Sequence, residues 1–124
     1  MNLLIVDDDP DITEFYKTAL EGEGLKIDTY NDPREALTNF KPDYYDIALI
    51  DVRMPEMNGF DLYKEMKKSD PCMKVCFVTA FEVNYKALQE ILPDMTKESY
   101  ISKPIALADL NKHIHYLLQE LHQP

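Results

Sequence analysis

Two runs constrain this chain more than any other feature. "DIALI" at residues 46–50 and "VCFV" at 75–78 are almost continuously apolar, yet too short for a helix. A strand with one wet face alternates apolar and polar residues, so runs of this kind suit strands buried on both faces of a parallel sheet. Parallel neighbours cannot be joined by a hairpin and need a long crossover, usually a helix. The rest of the sequence supplies these. Further strands are expected over Asn2–Val6, Leu25–Tyr30 and Tyr100–Ser102, beside Asp46–Ile50 and Lys74–Val78.

Helix signals fall between the strands. "DDPDITEF" offers Asp9 as an N-cap with Pro10 at the first helical position. "NDPREAL" repeats that start with Asp32 and Pro33, and adds Glu35 at the capping-box position. A third helix is expected near Gly59, running through Phe60, Tyr63 and Met66, with Gly59 supplying a positive-φ turn and no chemistry. A fourth runs from Val83 to Leu92 and stops at Pro93. In the last, Leu107, Leu110, Ile114, Leu117 and Leu121 recur at steps of three and four, an amphipathic stripe. Five βα units follow without a linker or repeat, so residues 1–124 read as one α/β domain with right-handed crossovers and helices on both faces.

Charge narrows the function. The net charge is -10, and all of the excess lies in residues 1–62, with 15 acidic against 5 basic side chains; residues 63–124 carry 8 of each. A nucleic-acid surface needs a basic footprint, so direct binding of DNA or RNA is not expected. No run approaches a membrane span, and the opening "MNLLIVDDD" lacks the basic flank and cleavage site of a signal peptide. A cytoplasmic protein is expected. Cys72 and Cys76 lack zinc spacing and read as reduced structural thiols. His113 and His115, two apart on a helix, point in different directions and do not suit a shared metal.

In an open parallel sheet the functional crevice lies at the carboxyl ends of the strands. After the first strand come Asp7, Asp8 and Asp9; after the third comes Asp51. The fourth ends in Thr79-Ala80 and the fifth in Lys103-Pro104. Grouped carboxylates make an oxygen-rich pocket for a hard divalent cation such as Mg2+, which readily takes phosphate oxygens as further ligands. A lysine and a hydroxyl opposite would serve a phosphoryl group, and a carboxylate beside the metal can itself be the nucleophile.

The four stretches "LLIVDDD", "ALIDVRMPEMNG", "VTA" and "YISKP", in this order and spacing, resemble the response-regulator receiver domain, the phosphoacceptor module of two-component signalling. The likeness covers essentially the whole chain. It implies a flavodoxin-like doubly wound sheet of five parallel strands in the order 2-1-3-4-5. It also implies that Asp51 is the phosphoacceptor, taking its phosphoryl group from a sensor histidine kinase or a histidine phosphotransfer protein. Mg2+ would be held by Asp8 directly, by Asp7 largely through water, by Asp51 and by the Arg53 backbone carbonyl. Thr79 with Ala80 and Lys103 would bind the phosphoryl group, and Tyr100 would turn inward as a switch. Asp9 is set apart from this group as a helix cap.

Two further positions flank the approach of a hydrolytic water, Arg53 and Phe81. A long cation and an aromatic there are expected to lengthen the life of the acyl phosphate. Between Thr79 and the last strand, "AFEVNYKALQEILPDMTKESY" departs from the family pattern with a proline-ended helix and a longer polar connection. That segment belongs to the family's output face, so the downstream partner or output domain stays open, as does a monomer against a phosphorylation-dependent dimer. The rival from the enzyme class is a haloacid-dehalogenase-like Mg2+-dependent phosphatase, whose Asp-x-Asp-x-Thr motif occurs as Asp9, Asp11 and Thr13. A second rival is a receiver-like binding module that needs no phosphorylation. An EF-hand is excluded, because Ile12 and Thr18 occupy the positions of its glycine and terminal glutamate.

Overall fold

The computed structural model describes residues 1–22, 24–80, 90, 92, 99–103 and 107–120. The strands are β1 (Asn2–Val6), β2 (Lys26–Tyr30), β3 (Ile47–Asp51), β4 (Lys74–Thr79) and β5 (Tyr100–Ser102). The helices are α1 (Pro10–Glu21), α2 (Pro33–Thr38), α3 (Gly59–Ser69) and α4 (Leu107–Glu120). The expected helix over 83–92, Phe81 and Pro104 lie outside the described residues, Glu90 and Leu92 excepted.

All five strands pair in parallel in the order β2-β1-β3-β4-β5, the expected doubly wound, flavodoxin-like sheet. Period-two alternation sorts the strand side chains into two cores. Leu4, Val6, Ala48, Ile50, Val75 and Phe77 face α2 and α3, where Ala36, Leu62, Tyr63 and Met66 complete the packing. Leu3, Ile5, Leu49, Cys76 and Val78 face α1 and α4, meeting Tyr16, Leu20, Leu110, Ile114 and Leu117. The central strands are therefore apolar on both sides, the condition that made "DIALI" and "VCFV" continuous. Both cysteines are free, Cys72 exposed and Cys76 buried. Among the described residues no helix is long and apolar enough to cross a membrane.

Both Asp-Pro starts form as the local chemistry dictates. Asp9 accepts the Asp11 N–H at 2.9 Å, and Asp32 accepts the Arg34 N–H at 2.8 Å. Each cap satisfies a first-turn donor that the helix itself cannot.

Gly59 corrects its expected role. The positive-φ glycine among the described residues is Gly24, and in the loop before α3 the left-handed backbone belongs to Glu56, at φ 71°. Gly59 is glycine for closeness. Its N–H donates to the Val52 carbonyl at 2.9 Å, and a Cβ there would run into the Asp51 carbonyl oxygen and lie 2.9 Å from Ile50 Cγ2.

Candidate functional site

β1 and β3 are adjacent and in parallel register, with Val6 beside Ile50, so the residues that follow each emerge side by side at one sheet edge. Asp7, Asp8 and Asp51 each offer a carboxylate oxygen there, and these oxygens all lie within 4.8 Å of one another. Asp7 and Asp51 are buried, 2% and 7% exposed, whereas Asp8 faces solvent. Asp9 is not in this group; its carboxylate caps α1.

β5 brings the cation. Its neighbour β4 ends in Thr79, whose carbonyl accepts the Lys103 N–H at 2.7 Å. From that anchor the Lys103 ammonium reaches across to Asp7 Oδ2 at 3.0 Å and Asp51 Oδ1 at 3.4 Å. Thr79 is buried at the strand end, Ala80 is exposed beside it, and Arg53 is exposed two residues past Asp51. Phe81 lies outside the described residues.

The carboxylates titrate abnormally. Burial, then the negative charge of Asp7, pushes Asp51 up to about 6 against the pull of Lys103. Burial likewise lifts Asp7 above the ordinary carboxylate range, despite the N–H of Asp9 and the Lys103 ammonium. Burial disfavours the Lys103 charge, but the Asp7 hydrogen bond and both carboxylates outweigh it, so its ammonium is held above the usual lysine range. Three carboxylates face one ammonium, leaving two negative charges over when all are ionised. An all-oxygen donor set with that excess fits a hard divalent cation.

The two carboxylates that follow β1 are not equivalent. Asp7 Oδ1 accepts the Asp9 N–H at 3.0 Å and Oδ2 accepts from Lys103, so both of its oxygens already have protein partners. Asp8 is the exposed member of the three and presents its carboxylate toward solvent.

Tyr100 is 7% exposed, and its ring stacks on Phe77 with centroids 5.7 Å apart. Phe77 in turn meets Phe60 and Tyr63 of α3 edge-on, at 4.8 and 5.7 Å. The ring expected to turn inward already lies inward in this structure.

Sequence reasoning passed over Asn31. It follows β2 at the same sheet edge, and its Nδ2 donates to the Asp7 carbonyl at 2.9 Å and to Thr13 Oγ1 at 3.0 Å. The signal was its position: the strand-end rule that picked out Asp7, Asp51, Thr79 and Lys103 applies to β2 as well.

The family model described as the response regulator receiver domain matches residues 3–115. The chain is 33% identical to the response regulator SaeR of Staphylococcus aureus (strain USA300), over 99% of this chain and 54% of that protein. It therefore spans about half the length of the curated relatives it matches. Among solved structures, a CheY-like response regulator receiver domain protein from Methanospirillum hungatei JF-1 superposes with a TM-score of 0.83 at 30% identity, covering 96% of this chain and 94% of that one. The non-phosphorylated HemR receiver domain of Leptospira biflexa gives 0.85 at 25% identity, covering 99% and 97%.

Proposed function

Because the chain belongs to the response regulator receiver family of two-component signalling, we propose that Asp51 accepts a phosphoryl group in the cytoplasm from a phosphohistidine on a sensor histidine kinase or phosphotransfer protein. The bond between phosphorus and the donor imidazole breaks while one forms to an Asp51 carboxylate oxygen, and the leaving imidazole takes up a proton. The observation that carries this reading is the convergence of Asp7, Asp8 and Asp51 with the Lys103 ammonium between two of them. Burial and the charge of Asp7 raise the Asp51 carboxyl to about 6, and a cation bound beside it would favour the ionised form that attacks.

Asp8, Asp51, the Arg53 backbone carbonyl and, through water, Asp7 would hold Mg2+, which supplies positive charge beside the transferring oxygens. Lys103 supplies the second positive charge, freed from part of its contact with Asp51 to bind a phosphoryl oxygen. Thr79 and the Ala80 N–H, at the end of the adjacent strand β4, would donate to that group. Movement of Thr79 toward the phosphoryl group favours the inward Tyr100. The stack of Tyr100 on Phe77 adds about 0.5–1.5 kcal/mol to what burying the ring contributes, and a local event at Thr79 would shift the balance between the two positions. The shifted surface then signals to a downstream protein or output domain.

Acetyl phosphate with Mg2+ tests the assignment. Asp51→Asn abolishes labelling, whereas Asp9→Asn keeps most of it, since asparagine caps a helix as well as aspartate. Full labelling of Asp51→Asn refutes the phosphoacceptor. Label lost only in Asp9→Asn supports the phosphatase instead, and an unlabelled wild type supports a module independent of phosphorylation.

A further inference from the structure

The loop that carries Asp8 is fixed from a neighbouring loop by one side chain. Asn31 donates one amide hydrogen to the carbonyl of Asp7 at 2.9 Å and the other to Thr13 Oγ1 at 3.0 Å. The Thr13 hydroxyl donates onward to the Pro10 carbonyl at 3.1 Å, so the first turn of α1 is tied into the same network. Beside it, the Asp7 N–H donates to the Tyr30 carbonyl at 3.1 Å. The peptide entering Asp7 and the one leaving it are both held from the end of β2.

The peptide leaving Asp7 is the one that matters for binding. A peptide group is planar, so fixing the Asp7 carbonyl also fixes the Asp8 N–H and the direction of the Asp8 Cα. Asp8 is exposed, with little packing around its side chain to choose its orientation. Its placement beside Asp7 and Asp51 rests on the backbone. We infer that Asn31 is a positioning residue that holds the Asp7–Asp8 peptide so that the Asp8 carboxylate faces the cation site. The inference rests on the proposed function in assuming that Asp8 binds the cation. The amide is suited to the task because a single Nδ2 has two hydrogens for two acceptors; aspartate has none, and serine has one.

The metal itself is the probe. Calorimetric titration of the whole chain with MgCl2 is expected to give a dissociation constant about tenfold higher for Asn31→Ala, the lower end of what outer-shell partners of metal ligands usually contribute. Two accompanying measurements separate positioning from general damage. The melting temperature in EDTA falls by the cost of the two lost hydrogen bonds, and the further rise on adding Mg2+ shrinks relative to wild type, because that increment follows the occupied fraction alone. Labelling by acetyl phosphate recovers when Mg2+ is raised to saturation.

Thr13 gives a second route should Asn31→Ala fail to fold. Thr13→Val removes the acceptor that orients the amide and weakens Mg2+ binding, whereas Thr13→Ser keeps the hydroxyl and restores it. Wild-type affinity in Asn31→Ala overturns the inference, as does equal affinity in Thr13→Val and Thr13→Ser. Asp8→Asn is the control: if it too binds Mg2+ like wild type, the metal site itself is wrongly placed. If only Asp8→Asn loses binding, the site stands and Asn31 has no part in it.

Discussion

Gly59 lies against the Asp51 carbonyl so closely that no side chain fits between them, and the atoms in the way are backbone and the branched Ile50. The N-terminus of α3 and the C-terminus of β3 are thus pressed together at the residue proposed to accept the phosphoryl group. Gly59→Ala must move one of them. Relieving such overpacking costs about 1–3 kcal/mol, more than the roughly 1 kcal/mol that alanine gains over glycine in a helix. The variant is expected to unfold at lower urea and to accept phosphate from acetyl phosphate more slowly. An unchanged midpoint together with an unchanged rate refutes the steric account.

Asp51 makes stability depend on pH with a definite sign. Its proton is held up to about 6 in the folded chain against an ordinary 3.8. Between those values the native state binds the proton and the unfolded state does not, so stability is greatest below the lower value and falls as pH rises through the upper one. The shift of about two units corresponds to about 3 kcal/mol as an upper figure. Asp51→Asn has no such charge to bury. In EDTA it is expected to exceed wild type by about 1–3 kcal/mol above pH ~6, with the difference closing toward pH ~4. Thermal unfolding across that range checks it; a difference independent of pH rejects the assignment.

What the sequence made legible and what it hid divide by range. The Asp9-Pro10 and Asp32-Pro33 starts are local, since each cap bonds a group two residues away. The five strands follow from the apolar runs to within a residue at either end, Asp51 and Thr79 joining the ladder beyond the apolar stretch. Asp7, Asp8, Asp51, Thr79 and Lys103 were legible as strand ends once a parallel sheet was expected. Gly59 was misread because its neighbour is the carbonyl of Asp51, a contact that no turn pattern announces. Asp70 shows the same limit: its buried carboxylate accepts the Asp43 N–H at 2.9 Å from 27 residues away, and Asp43 is held at φ 62°. Such pairings exist only after the chain has closed.

Arg53 and Phe81 are proposed to set how long the phosphoryl group stays. Arg53 is exposed two residues beyond Asp51, where a long cation can screen an incoming water from the acyl phosphate. Arg53→Asn and Phe81→Glu are each expected to speed self-dephosphorylation severalfold, while the first labelling step changes less. Decay of purified phosphorylated protein after removal of the donor measures this directly. Decay rates equal to wild type in both variants end the idea.

Lys103 should affect metal binding and phosphoryl acceptance in opposite directions. Its ammonium lies on the Asp7 and Asp51 carboxylates and is held there firmly, so it already offsets charge that a divalent cation would otherwise meet. A unit charge about 5 Å from a divalent ion repels it by roughly 1–2 kcal/mol even at the dielectric of water. Removing it in Lys103→Met therefore strengthens Mg2+ binding on the order of tenfold. The metal-free protein loses stability at the same time, because the buried carboxylates keep their mutual repulsion and lose their counter-charge. Adding Mg2+ then raises its melting temperature more than that of wild type. Labelling nevertheless slows, since the second positive charge for the phosphoryl oxygens is gone and the metal cannot occupy both places. Calorimetry with MgCl2 and labelling at saturating Mg2+ together decide the matter: weaker metal binding in Lys103→Met would mean that the lysine shapes the pocket more than it competes with the cation.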